Sequence, residues 1–168
     1  MALWRIWNGP APTTAQQLAV TTGTAIETVI QVLSATGIAL RVKAWGFSMD
    51  GAAAAPGVEW ELLETGVIAA TVTAHSASGI VAIDSAALLA TPSAYFNLGT
   101  SATGFTASVE GAIVESRVFD GAFVQPTGER AWEFSLGNGR EIDPIHVLRL
   151  RVTAAAAVLA KSWVEIES

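Results

Sequence analysis

Ile145-His146-Val147-Leu148-Arg149-Leu150-Arg151-Val152 is the stretch that decides the fold class. Leu148, Leu150 and Val152 fall on one face and Arg149 and Arg151 on the other, the period of two that marks a strand buried on one side. After Ala154 to Ala157 a second alternating run extends from Val158 to Glu167. A strand with one apolar face needs a second sheet or a partner chain to cover it.

The same period recurs upstream. Ile26, Thr28, Ile30 and Val32 alternate with Glu27, Val29, Gln31 and Leu33, and a Gly37 turn leads into Leu40 to Met49. Val58-Glu59-Trp60-Glu61-Leu62 places Val58, Trp60 and Leu62 inward. Further strands are expected over Val67 to Ala74, Ile80 to Ile83, Ala112 to Phe119 and Arg130 to Leu136, the last with Trp132, Phe134 and Leu136 facing in. Asp84-Ser85 is expected to cap a helical turn over Ala86 to Ala90 that ends at Thr91-Pro92. Asp50-Gly51, Pro56-Gly57, Asn138-Gly139 and Asp143-Pro144 read as turns. Eight or nine strands with little helix predict an all-β chain, an antiparallel β-sandwich or jelly roll.

The beginning of the chain reads differently. Asn8-Gly9-Pro10-Ala11-Pro12 cannot occupy a central strand, because proline has no amide to donate. Thr13 or Thr14 is expected to cap a short turn through Leu18. Residues 1–22 are therefore expected to form an extended N-terminal arm, and residues 23–168 a single sandwich domain. Trp4 and Trp7 precede the break, and two placements suit them: over the end of their own sandwich, or on a neighbouring subunit as anchors of the arm. Trp163 shares a strand face with Lys161, Glu165 and Glu167, opposite Val164 and Ile166, and is expected outside the core. Trp4, Trp7 and Trp163 are thus the candidate interface residues.

Composition narrows the function classes. The 168 residues suit one domain. Charged residues make up 14% of the chain and hydrophobic ones 51%, against about 25% charged in an average soluble domain. So few charges point to an oligomer or a docked subunit. The net charge of −6 and the scatter of nine Lys and Arg residues argue against nucleic acid or an anionic membrane as partner. No apolar run reaches the roughly 18 residues of a membrane helix. Met1 to Trp7 lacks the basic start and apolar stretch of a secretory signal, so synthesis in a cytoplasm is expected. The chain has no cysteine, which removes disulfides, thiolate metal sites and cysteine nucleophiles.

No assembled reactive motif is found. Gly99-Thr100-Ser101-Ala102-Thr103-Gly104 has the glycine spacing of a phosphate-binding loop, but Phe105 stands where lysine is needed. Gly46-Phe47-Ser48-Met49-Asp50 starts like a nucleophile elbow and lacks the closing glycine. His75 and His146 have no ligand partner at metal spacing, and His146, on the inward side with Leu148, is expected to be a satisfied core or interface histidine. Glu59 and Glu61 flank Trp60 in a pattern that resembles a glycosidase cleft or a sugar-binding face, yet glutamates two apart on a strand ordinarily point together into solvent. Asp50, Asp84, Asp120 and Asp143 lack the repeated oxygen spacing of a calcium loop. No catalytic residue, cofactor site or metal site is assigned, and an enzyme is not expected.

Trp45-Gly46-Phe47-Ser48-Met49-Asp50-Gly51, Glu61 to Thr65 with Thr71 to His75, Gly99 to Ala107, and Leu148 to Thr153 followed by alanines resemble a family of small β-rich proteins of tailed phages, the head decoration or capsid cement proteins. These stretches span most of the chain from Thr21 onward and carry no reactive group. The resemblance implies a structural virion protein on the capsid exterior. Its implied partner is the major capsid protein, and its implied state a homo-oligomer, with a trimer favoured. The alternative it leaves open is a tail-associated receptor- or glycan-binding sandwich, whose aromatic shelf would be Trp60 with Glu59 and Glu61.

Overall fold

The computed structural model describes residues 1–12, 15–135 and 137–168. In chain order its strands are β1 (Leu3–Trp7), β2 (Val20–Thr21), β3 (Ile26–Leu33), β4 (Leu40–Asp50), β5 (Val58–Thr65), β6 (Thr71–Ala74) and β7 (Ile80–Ala82). A short helix, α1 (Ser85–Leu89), precedes β8 (Gly104–Val109), β9 (Ser116–Val124), β10 (Glu129–Glu133), β11 (Arg140–Ile142), β12 (Val147–Ala154) and β13 (Leu159–Glu167). The strands form two antiparallel sheets packed as a β-sandwich. One sheet has the order β10-β4-β13-β1-β7, with β11 also beside β4 and β2 beside β13. The other has the order β6-β8-β3-β12-β5-β9.

The stretch quoted above becomes β12, in the interior of the second sheet between β3 and β5. Leu148, Leu150 and Val152 are buried in the core, as their alternation requires. Residues 155–158 then carry the chain across to β13, in the interior of the first sheet between β4 and β1. Val164 and Ile166 face inward there, and Trp163 faces out.

Aromatic packing joins the sheets. Phe47 of β4 stacks on Trp60 of β5 with ring centroids 4.4 Å apart and planes 4° from parallel. Trp45 is also buried, and its indole N–H donates to Asp120 Oδ2 at 2.9 Å. Removing roughly 200 Å² of one tryptophan from water at roughly 25 cal/mol per Å² stabilises the fold by about 5 kcal/mol before entropy is counted. The sandwich closes along one side where the chain passes from β9 to β10, with Arg130 Nη2 2.8 Å from Asp120 Oδ2. Along the other side the link from β6 to β7 carries His75, whose Nε2 lies 2.9 Å from the Trp7 carbonyl oxygen.

The expected N-terminal arm is corrected. β1 lies between β13 and β7, in register Trp4↔Ile166 and Trp4↔Ala82. Leu3 to Trp7 itself alternates, and Trp4 and Ile6 enter the core. Trp4 is 1% exposed and packs on Tyr95 and Phe96, each with centroids 6.0 Å away. Beyond the strand, the buried Asn8 side chain donates to the Ala160 carbonyl at 3.0 Å and accepts from the Ser162 amide at 2.9 Å. The proline pair breaks the chain only after the strand is complete. The cap expected at Thr13 or Thr14 and the inward position of Leu136 lie outside the described residues.

Three further expectations shift. The strand expected at Ala112 to Phe119 starts later, as β9 at Ser116–Val124. Val67 to Ala70 is not strand, and only Thr71–Ala74 pairs. Phe134 is buried, but Trp132 is 48% exposed at the sheet margin. Asp84 does cap α1, accepting from the Ala87 amide through Oδ1 at 2.7 Å.

Candidate interaction surfaces

Two outer faces and one polar cluster carry the features that the core does not explain. On the first sheet, backbone register sets up rows across the strands. Trp7, Trp163, Gly46 and Ala131 form one row. Lys161, Ser48 and Glu129 form the next. Gly46 lets Trp163 lie down on the sheet, because a Cβ there would stand 2.7 Å from the ring atom Cζ2 and 2.7 Å from the Arg130 carbonyl oxygen. The Arg5 guanidinium lies 4.7 Å from the Trp163 ring centroid and 5.6 Å from that of Trp7, within cation–π range. Glu165 pairs with the same guanidinium and fixes it. A cavity of about 670 Å³ opens beside the two tryptophans, with Ser48, Glu129, Ala131 and Lys161 in its wall.

The second sheet is covered differently. Arg149, read from alternation as solvent-facing, is 0% exposed. Its Nη1 donates to the Glu110 carbonyl at 2.8 Å and its Nη2 to the Ile68 carbonyl at 2.7 Å. Gln31 acts in parallel: its Nε2 donates to the Ala102 carbonyl at 2.6 Å, and its Oε1 accepts from the Ala70 amide at 2.8 Å. These side chains pull two loops, residues 66–70 and 110–115, down over the sheet. Burial lowers the pKa of the Arg149 guanidinium, and the nearby Glu110 carboxylate opposes that shift.

Beyond these contacts, those loops turn apolar side chains outward. Val67, Ile68, Ile113 and Val114 are all exposed. Val114 packs so closely over Gly66 that a Cβ there would stand 2.5 Å from its Cγ2. β9 adds two more exposed apolar side chains, Val118, paired with Leu63 in register, and Phe123, which is 74% exposed and lies over Gly57. β9 ends its sheet, so half of its backbone hydrogen-bonding groups face away from β5.

The polar cluster centres on Glu64 at the end of β5, whose side chain is 6% exposed. Its Oε2 accepts from Arg117 Nη2 at 2.7 Å and from the Asp143 amide at 2.8 Å, and its Oε1 lies 3.1 Å from His146 Nδ1. His146 Nε2 in turn lies 2.7 Å from Glu115 Oε1. Burial acts to raise the Glu64 pKa, but the Asp143 amide, His146 and Arg117 outweigh it and hold the carboxyl below its ordinary range. The hydrogen bond to Glu64 pushes the His146 pKa up; burial opposes this, and the charges of Glu115, Glu64 and Asp143 reinforce it. Of the two placements expected for a satisfied His146, core or interface, the core one is not found: His146 is half-buried and bridges two carboxylates. Its partners are distant in sequence, so residue spacing gives no sign of them.

Of the three candidate interface tryptophans, Trp7 and Trp163 come together on the outer face, and Trp4 is an interior residue of its own sandwich. Trp60 is fully buried, so it forms no exposed aromatic shelf with Glu59 and Glu61. Instead Glu61 pairs with Arg151 at 2.8 Å. Ala102 and Thr103 of the glycine-spaced loop are buried, with the Thr103 hydroxyl on the Leu33 backbone. Burial lowers the pKa of His75, against the hydrogen bond to the Trp7 carbonyl. Among the described residues no group of three or more His, Asp or Glu is placed to hold a metal ion, and no helix is long and apolar enough to cross a membrane.

No family model matches the chain, and no curated protein sequence matches it.

Proposed function

We propose that this chain is a structural subunit of a tailed-phage virion, a decoration protein that binds the outer surface of the capsid and cements neighbouring capsid subunits. The observation that carries the reading is the set of exposed apolar side chains on one terminal strand, Val118 and Phe123, and on the loops beside it, Val67, Ile68, Ile113 and Val114. A lone soluble domain rarely leaves a large continuous apolar patch in water. The patch has two of a partner's requirements built in: apolar area and a free strand edge. The sequence resemblance to head decoration proteins supplies the identity of that partner, the major capsid protein.

A homotrimer on a capsid symmetry axis fits the same features, since each copy would offer one identical set of these side chains. Many modest contacts repeated over a shell add through multivalency, so no single interface has to be tight. The test is binding to undecorated heads by co-sedimentation, using the intact protein and a Val118→Ser/Phe123→Ser double variant. The wild type is expected to pellet with heads and the variant to remain in the supernatant with an unchanged melting temperature. Equal co-sedimentation of the two proteins would overturn the assignment of these side chains.

A further inference from the structure

We infer that the outer face of the first sheet holds a binding site for a neutral sugar, at the cavity lined by Trp7, Trp163 and Ala131 beside the row Lys161, Ser48 and Glu129. This site lies on the sheet that does not carry the exposed apolar side chains named above, and the inference does not depend on where in a virion the chain sits.

The cavity is built rather than incidental. An indole on a strand face would ordinarily stand away from the sheet beside its neighbours. Trp163 lies over Gly46 because no side chain is there to lift it, and Ala131 keeps the next strand equally low. Arg5 contacts both rings and is itself held by Glu165, so the two indoles are oriented before any ligand arrives. Arg5 does not line the cavity, which leaves about 670 Å³ beside the tryptophans free of it.

The polar row supplies the second half of the recognition. Lys161 offers three donors, Ser48 one donor and two lone pairs, and Glu129 only acceptors. Cross-strand register places the three side by side, next to the aromatic row. Among the described residues neither Lys161 nor Glu129 makes an ion pair, so both are free to meet a ligand. A pyranose has matching chemistry: apolar C–H groups for the indoles that line the cavity, and an edge of hydroxyls that both donate and accept. The charges of Lys161 and Glu129 cancel, and Arg130, which also lines the cavity, is paired with Asp120 at 2.8 Å, which favours a neutral sugar over a uronic or sialic acid.

The test applies the intact protein to an array of neutral, N-acetylated and acidic oligosaccharides. Titrations of the bound compounds, followed by the indole N–H resonances, come second. Neutral hexose oligosaccharides are expected to bind, and the indole resonances of Trp7 and Trp163 to shift while that of the buried Trp4 stays in place. Trp163→Ala is expected to weaken binding about tenfold, the scale of one lost aromatic contact. Glu129→Gln, an exposed change outside the core, is expected to weaken it about threefold with the melting temperature unchanged. No binding by any neutral oligosaccharide, binding confined to acidic glycans, or equal binding by wild type and Glu129→Gln would each overturn the inference.

Discussion

His146 Nδ1 lies 3.1 Å from Glu64 Oε1, and this contact ties the turn before β12 to the end of β5. The opposite nitrogen of the same ring, 2.7 Å from Glu115, ties in the loop that carries Ile113 and Val114. One imidazole therefore links the loop that bears these exposed apolar side chains to the sandwich beneath it.

The link makes stability depend on pH with a definite sign. The His146 pKa is raised above its ordinary 6.5, so its contribution is fully present below 6.5 and is lost as pH rises through the folded-state value. Glu64, held below 4.5, contributes above 4.5 and loses that contribution as pH falls through its own lowered value. Two groups act against these limbs. His75 is depressed by burial and costs stability as pH falls below 6.5. Glu27, raised to about 6 by burial and then by the Glu110 charge, costs stability as pH rises from 4.5 to 6. The informative quantity is thus a difference between proteins. Wild type is expected to exceed His146→Gln in melting temperature below pH 6.5, and the gap is expected to close at alkaline pH. A gap that stays constant across the titration would remove His146 from this role.

Glu64→Ala is expected to destabilise the fold by about 2 kcal/mol, the cost of depriving charged and backbone donors of one shared acceptor. Arg117, more than half exposed, can turn to water, which keeps the loss below that of a fully buried pair. Urea unfolding measures it, and the midpoint is expected to drop without a change in slope.

The two N-terminal tryptophans are expected to behave oppositely. Trp4→Ala empties a core site against Tyr95 and Phe96 and is expected to cost about 3–5 kcal/mol. Trp7→Ala, at the outer face, is expected to cost about 1 kcal/mol or less. Deleting residues 1–8 removes β1 from the interior of the first sheet and is expected to abolish cooperative unfolding. A folded truncated protein would restore the idea of a detachable arm.

Gly46→Ala is expected to destabilise by about 1–3 kcal/mol, since the new methyl meets both the Trp163 ring and the Arg130 backbone. Tryptophan fluorescence is expected to shift with it as the ring lifts toward water. Gly37→Ala, at a φ of +76° but with open space around it, provides a backbone control without any change in emission.

Alternation made the two interior strands legible, because Leu148, Leu150 and Val152 obey the rule that one face is core. The same rule misplaced Arg149. Periodicity assigns a residue to a face but is silent on what a loop from elsewhere lays over that face, and the carbonyls of Glu110 and Ile68 reach Arg149 across 39 and 81 residues. At the N-terminus, the proline break at Asn8 to Pro12 masks Leu3 to Trp7, whose own period of two is complete. Pairing Trp7 with Trp163 required the closing strand to return beside the first, a contact between chain ends that no local pattern encodes. The Glu64 cluster was hidden for the same reason, its members being drawn from β5, the start of β9 and the turn before β12.

The copy number of this chain in purified virions, measured against the major capsid protein by quantitative mass spectrometry, tests the central claim most directly. Decoration of the shell predicts a stoichiometry equal to that of the capsid protein or a simple fraction of it. A few copies per particle, or none, would contradict it.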